Sequence, residues 1–370
     1  MYLLIFGTRP EAIKMAPLAL ELKKNKISFK ICVTGQHLEL LETVLDFFEI
    51  KADYNLSLMK KKQTLNSLSS RILFEIDKIL DKLNPTLVFV HGDTTTAYIS
   101  ALAAFNRNIK IAHVEAGLRT NNIRFPFPEE FNRKSISIMA DINFSPTTLN
   151  KKNLIKEGIN KNKIFVTGNT VIDALKFGKA KLESGEYSDS NISYLKNMLL
   201  FKKRTILLTA HRRENFGKPL INIFNGIKKL IEINNDIQII YPVHLNPNVY
   251  DTAHKFFKNI KNVHLIPPVD YPSLIFLLKE SYFVITDSGG IQEEAPYFGK
   301  PVLVVRNESE RMEAVASGSV KLIGTDKNKL IDESEKLLND NIYYKNFRNL
   351  NNPYGNGNSC KKIISILNNE

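Results

Sequence analysis

Short apolar runs alternate along this chain with longer amphipathic stretches. Residues 2–6 form an apolar run of strand length, and the pattern from about 10 to 24 is helical. Residues 30–33 precede a helical stretch at 37–48, 87–91 lead into another at 95–105, and 110–114 open the next turn. After about Asn169 the rhythm restarts, and 206–209, 237–241, 263–266, 283–286 and 302–305 read as buried strands, most trailed by a helical pattern. A strand covered on both faces loses the alternation of apolar and polar positions, so these runs predict parallel sheets flanked by helices. Two such blocks predict an α/β chain of two doubly wound, Rossmann-like domains, 1–170 and 171–350. The charged, weakly patterned segment 181–204 places the hinge between about 167 and 204. Turn chemistry at Pro353, Gly355 and Gly357 precedes a last helix, 359–367, within a tail 351–370 expected to pack back on the first domain.

A length of 370 residues suits two cores rather than one. Hydrophobic and charged shares of 43% and 24% are those of a soluble globular protein. The run at 2–6 breaks at Gly7, far short of a membrane span, and nothing there resembles a signal peptide, so a cytoplasmic chain is expected. Cys32 and Cys360 stand near opposite ends with neither a CxxC spacing nor adjoining histidines. That argues against a disulfide framework or structural zinc and for a reducing cytosol. The net charge of +13 raises a nucleic-acid-binding alternative. Its lysines and arginines, however, lie in short scattered clusters (23–24, 60–62, 151–152, 202–204) without interleaved aromatics to stack bases. Nucleic acid and membrane are therefore not expected as partners.

In open parallel sheets, ligands bind outside the carboxyl ends of the strands. Candidate chemistry lies there. Gly7-Thr8-Arg9-Pro10-Glu11 follows the first run, with Lys14 one turn on. A helix N-terminus flanked by two cations suits a phosphate or carboxylate, and the absence of GxGxxG counts against NAD. His91-Gly92-Asp93-Thr94 follows the run at 87–91, where Asp93 reads either as a reacting carboxylate or as a helix cap. Glu115 closes the next strand, and the prolines of Pro126-Phe127-Pro128 fix a loop before Glu129 and Glu130. Asp93, Glu115 and Glu129 are expected on one rim, with Arg119, Arg124 and Arg133 moderating their burial. In the second block, His211 with Arg212 and Arg213 suits proton transfer or a developing negative charge, and His244 closes the following strand. Asp287-Ser288-Gly289-Gly290 opens a helix able to approach a diphosphate, with Glu294 a turn inward for ribose hydroxyls.

The series GTRPEAIKMAPL, HGDTTT, HVEAGLRT, PFPEEFNR, TGNTVIDA, TAHRREN, YPVHLNP, DSGGIQEE and GKPVLVVR, spanning 7–306, resembles in order the motifs of the non-hydrolysing UDP-N-acetylglucosamine 2-epimerases. The resemblance implies a glycosyltransferase-B-like fold, an active site in the interdomain cleft, a homodimer, and neither a redox cofactor nor a metal. It implies catalytic roles for Asp93, Glu115, Glu129 and His211. Binding roles fall to Arg9, Lys14, Ser288, Gly289, Gly290 and Glu294, with Arg133 and His244 also matching. Two departures stand out. Met312 replaces the proline of a Thr-Glu-Arg-Pro-Glu pattern, and at an allosteric glutamine stretch Gln36 matches while Glu39 stands at the later position.

The implied reaction inverts carbon 2 of UDP-N-acetylglucosamine to give UDP-N-acetylmannosamine. It proceeds by elimination of UDP to 2-acetamidoglucal and readdition. Alternatives are a hydrolysing 2-epimerase releasing N-acetylmannosamine and UDP, an epimerase of a modified UDP-sugar, and a glycosyltransferase on the same architecture.

Overall fold

The computed structural model describes residues 1–35, 38–60, 63–199, 203–309, 311–348, 350 and 352–369. It divides into two compact units, Met1–Phe177 with Tyr354–Glu370, and Gly178–Pro353.

In the first unit the strands are β1 (Tyr2–Phe6), β2 (Phe29–Val33), β3 (Tyr54–Asn55), β4 (Leu87–His91), β5 (Lys110–Val114), β6 (Ile142–Ser145) and β7 (Ile164–Val166). They pair in the order β3-β2-β1-β4-β5-β6-β7, all in parallel. The helices are α1 (Arg9–Lys24), α2 (Leu38–Phe47), α3 (Leu65–Leu83), α4 (Thr95–Asn106), α5 (Glu129–Met139), α6 (Thr148–Lys156) and α7 (Thr170–Glu183), which runs on into the second unit. Leu3 and Ile5 face Ile72, Ile76 and Ala101 on one side of the sheet. The order reverses between β1 and β4, so the chain leaves the sheet in opposite directions there and opens a crevice at the strands' carboxyl ends.

The second unit repeats the plan. Its strands are β8 (Arg204–Thr209), β9 (Ile237–Pro242), β10 (Val263–Ile266), β11 (Phe283–Thr286), β12 (Val302–Val304) and β13 (Val320–Leu322), in the parallel order β10-β9-β8-β11-β12-β13. The helices are α8 (Ser190–Met198), α9 (Lys218–Ile233), α10 (Pro247–Phe257), α11 (Tyr271–Glu280), α12 (Gly289–Glu294), α13 (Met312–Ala316), α14 (Lys327–Asn339) and α15 (Asn341–Arg348). The core gathers Leu208, Phe224, Ile239, Tyr241, Ile285 and Leu330. Two doubly wound sheets are what the patterning predicts. Among the described residues, no helix is long and apolar enough to cross a membrane.

The chain returns to the first unit through α16 (Ser359–Leu367), which packs against α1. Asp173 of α7 accepts from Ser359 N at 3.1 Å and Cys360 N at 3.0 Å, capping that helix from outside. Asn169 N donates to Tyr354 O at 2.8 Å.

Several elements go beyond the predicted ones. The segment 181–204 is not an unpatterned linker. Asp189 caps α8, Ile192 and Leu195 are buried, and α8 packs on α11. Helix α3 buries Leu68, Ile72, Ile76 and Ile79 at helical spacing. Strand β6 hides polar Asn143 and Ser145, and β3 is two residues long, so neither shows as an apolar run. His91 consequently ends the fourth strand, although its apolar run is the third along the sequence.

Gly117, at φ +97°, turns the chain after β5, and a Cβ there would lie 2.8 Å from the Asn150 carbonyl carbon. Backbone cannot yield as a side chain can. Gly117→Ala is expected to lower the unfolding free energy by about 2 kcal/mol or more in urea denaturation.

Candidate active site

At the carboxyl edge of the first sheet, three neighbouring strands, β1, β4 and β5, hand polar residues to the crevice. Thr8 caps α1 in a capping box with Glu11. The Glu11 carboxylate is buried and accepts from Gly7 N at 3.0 Å, Thr8 N at 2.8 Å and the Thr94 hydroxyl at 2.7 Å. Burial raises its pKa against the pull of those bonds. The sequence suggests this turn as an external anion site, and the structure shows several of its backbone donors engaged within the chain. The N–H groups of Gly7 and Thr8 already hold the protein's own carboxylate, Glu11 N is bonded to Thr8, and Pro10 has none. What this turn adds is the Arg9 side chain, half-buried at the first helical position.

Lys14 is buried one turn further on and forms an ion pair with Glu115. Glu115 directly follows β5 at φ +67°, in the left-handed region that a glutamate occupies only at a cost. The same oxygen, Oε2, accepts from Asn169 Nδ2 at 2.8 Å and lies 3.8 Å from His91 Nε2. Burial pushes the His91 pKa down to about 4, with Glu115 opposing and Lys14 assisting. His113, also buried, contacts the Gly92 carbonyl through Nε2 at 2.7 Å, and burial pushes its pKa down to about 3.

Asp93 follows β4. Thr94, not Asp93, caps α4 by accepting from Ala97 N at 3.0 Å, so the capping alternative for Asp93 falls away. The Asp93 carboxylate instead pairs with Arg133 of α5, and its carbonyl accepts from Asn132 Nδ2 at 2.8 Å. Arg133 also lies 3.3 Å from Glu130, a fully buried carboxylate that accepts from the Thr120 and Asn121 N–H groups, each at 3.1 Å. Glu129 is half-buried at the start of α5. It stands four residues before Arg133, and hence on the same helix face as the partner of Asp93. Of the three arginines expected beside these carboxylates, Arg133 is there. Arg119 turns away to grip Glu157, its Nη2 2.7 Å from Oε2, and Arg124 is exposed.

In the second unit, Asp287 follows β11 fully buried. Its Oδ2 accepts from His211 N and Arg212 N, each at 2.8 Å, and from Asn215 Nδ2 at 3.0 Å. His211 follows β8 and stacks on His244 at 5.4 Å between ring centres, 12° from parallel. Burial lowers its pKa, Asp287 raises it, and His244 and Arg212 lower it further. Ser288 precedes α12, its N–H donating to the Thr286 hydroxyl at 2.9 Å. The adjacent glycines lie in the first turn of α12, at the helix start the sequence suggests. At Gly289 the missing side chain makes room for Arg311, whose Cζ would lie 3.2 Å from a Cβ. Arg311 in turn binds Glu293 at 2.9 Å. Glu294 ends α12, buried. Met312, in place of the family's proline, starts α13 with its side chain exposed. Gln36 lies outside the described residues. Among the described residues, no group of three or more His, Cys, Asp or Glu side chains is disposed to hold a metal ion.

The sequence model of a family described as UDP-N-acetylglucosamine 2-epimerase matches residues 20–368. A UDP-N-acetylglucosamine 2-epimerase of Campylobacter jejuni is 50% identical over 370 residues, covering 99% of this chain and 96% of the relative. This chain belongs to the UDP-N-acetylglucosamine 2-epimerase family. The crystal structure of the UDP-GlcNAc 2-epimerase from Neisseria meningitidis bound to UDP-GlcNAc is similar at a TM-score of 0.93 and 44% identity over 100% of both chains. That of the Methanocaldococcus jannaschii enzyme in complex with UDP-GlcNAc and UDP gives 0.82 and 37%, again over 100% of both.

In this 2-epimerase chain, sequence reasoning assigned no role to Asn169, Glu130 or Asp287. Asp287 had a legible signal, an acidic residue directly after a buried strand. Asn169 had none beyond its place in TGNTVIDA, because only folding brings it to Glu115.

The buried histidines carry a pH consequence. His91 titrates near 6.5 when unfolded and near 4 when folded, so between those values the unfolded chain binds the extra proton. Its contribution to stability is therefore present above about 6.5 and lost as pH falls toward 4. In urea denaturation, His91→Gln is expected to lose less stability than the parent between pH 7 and pH 4, by on the order of 2 kcal/mol.

Proposed function

We propose that this chain interconverts UDP-N-acetylglucosamine and UDP-N-acetylmannosamine without hydrolysis, through 2-acetamidoglucal. The observation that carries the reading is Glu115, a carboxylate 9% exposed, in a left-handed backbone conformation and bound by Lys14 and Asn169 at the strand ends of a family member.

The hydrogen on carbon 2 is barely acidic, because no carbonyl adjoins it. Departure of UDP with the C1–O electron pair builds positive charge at carbon 1 and weakens the neighbouring C–H bond. A base then takes the carbon-2 proton while that bond's electrons form the C1=C2 double bond. Return of a proton to the opposite face of carbon 2, with readdition of UDP at carbon 1, completes the inversion. Two faces require two proton-handling groups. We assign these to Asp93 and Glu115, with Glu129 sharing or tuning that duty. An ammonium and an amide N–H on one oxygen stabilise the charged form of Glu115, the form a base needs.

Holding UDP through the glucal stage calls for fixed donors and cations. We assign the diphosphate to Arg9, His211 and the Ser288–Gly289–Gly290 turn, and ribose hydroxyls to Glu294. His244 supports the His211 ring, and Arg133 holds Asp93. Lys14 serves Glu115 first, a change from the phosphate role its place in the sequence suggests.

Incubation with UDP-N-acetylglucosamine in deuterated water, followed by proton NMR, tests the reaction. UDP-N-acetylmannosamine carrying deuterium at carbon 2 is expected. Accumulation of UDP and free sugar would overturn the non-hydrolysing reading, and absence of exchange with any UDP-hexosamine would overturn epimerisation. Glu115→Gln is expected to lower kcat by about 10²–10⁴-fold, with UDP affinity in calorimetry changed little.

A further inference from the structure

Asp287 uses its two oxygens unequally. Oδ2 satisfies two backbone N–H groups and the Asn215 amide. Oδ1 is buried, has no hydrogen-bond partner among the described residues, and lies 3.5 Å from His211 Nδ1. A buried carboxylate oxygen left without a donor is expensive. The ring nitrogen is the donor at hand, and a small rotation of the imidazole would close the gap to hydrogen-bond length. His211 cannot drift far from this arrangement, because its own N–H is tied to the same carboxylate and its ring stacks on His244. With Nδ1 turned toward Asp287, Nε2 lies on the opposite side of a ring whose side chain is 37% exposed.

We infer that Asp287 is a positioning residue that fixes neutral His211 as the Nδ1–H tautomer and leaves Nε2 as the atom that meets ligand. Neutral, Nε2 offers a lone pair. Protonated, it becomes a donor to a departing diphosphate oxygen, and the Asp287 carboxylate balances the imidazolium across the ring. The groups facing His211 are Asp287 after β11, which favours the cation, and His244 after β9 and adjacent Arg212, which oppose it. Tyr241 of β9 stays a neutral phenol, its pKa raised by burial and by Asp287, and donates to Ala210 O at 2.7 Å. Asp287 is thus the one group among these that favours protonation of His211. This inference rests on the role proposed for His211 in holding UDP, but its test reads the ring itself.

Long-range ¹H–¹⁵N spectra of histidine-labelled protein across the pH range report both tautomer and titration. In the unsubstituted protein, neutral His211 is expected with its proton on Nδ1. In Asp287→Asn, His211 is expected to titrate at lower pH and to gain the Nε2–H form, with kcat falling about 10–100-fold and KM little changed. A purely structural role would move thermal stability and leave the titration of His211 where it was. Neutral His211 carrying its proton on Nε2 in the parent, or an unshifted titration in folded Asp287→Asn, would overturn the inference. If Asp287→Asn does not fold, the parent tautomer decides alone. If the protein turns over no UDP-hexosamine while His211 keeps the Nδ1–H form, the proposed reaction fails and the dyad stands.

Discussion

A carboxylate carried out of water must be met by donors and cations, and the first unit is arranged around that requirement at Glu115. Its backbone sits in the left-handed region, a local cost on the order of 1–3 kcal/mol that persists only where surroundings over-determine it. Two residues distant in sequence and one neighbouring turn supply the constraint. Lys14 comes from α1, Asn169 from the start of α7, and Gly117 pins the turn behind the strand against Asn150. Asn169 is itself tied to Tyr354, so the returning C-terminal segment supports the far side of the carboxylate. Removing one partner from a buried ionic contact is usually costlier than never having built it. Asp93 follows the same logic, sharing Arg133 with the fully buried Glu130.

The second unit meets the same problem at Asp287 with neutral donors; among the described residues no lysine or arginine side chain is paired with it. Asp287 is met by two backbone N–H groups, an amide and an imidazole edge. Neutral donors in a fixed array can hold a buried charge, since each bond to a carboxylate is stronger than one between neutral groups. The arrangement leaves the arginines nearby for other work. Arg306 holds Glu214, and Arg311 fills the space a side chain at Gly289 would occupy. Gly289 thus leaves room for an arginine within the first turn of α12.

The sheets were legible because their strands are continuous apolar runs. The runs at Leu87–His91, Lys110–Val114, Val263–Ile266 and Phe283–Thr286 need no tertiary information to be found. The elements that escaped are those whose burial departs from that rule, such as β6 with its hidden Asn143 and Ser145. Candidate acids were legible for a topological reason, since residues straight after parallel strands face the crevice. Their partners were not. Charge alone makes Arg119, Arg124 and Arg133 equivalent near Glu115 and Asp93, yet helix phase sends Arg133 to Asp93 and leaves Arg119 on Glu157. The capping box at α1 was also readable as Thr8 with Glu11 three residues on, and reading it shows those N–H groups to be already occupied.

The two histidines behind Glu115 bear on how the site can work. His91 and His113 are the groups that would ordinarily exchange protons near neutrality, and burial holds both neutral, at about 4 and about 3. A protonated imidazole 3.8 Å from Glu115 would compete with Lys14 for the same oxygen. Kept neutral, His91 adds volume and polarisability beside the carboxylate without adding a titration in the working range. The carboxylates of Glu115 and Asp93 are met instead by Lys14, Asn169 and Arg133. In the second unit burial lowers the His211 pKa as well, but there a carboxylate, Asp287, opposes it from 3.5 Å. Of these three, His91 and His113 are enclosed, while the His211 side chain is 37% exposed beside a carboxylate.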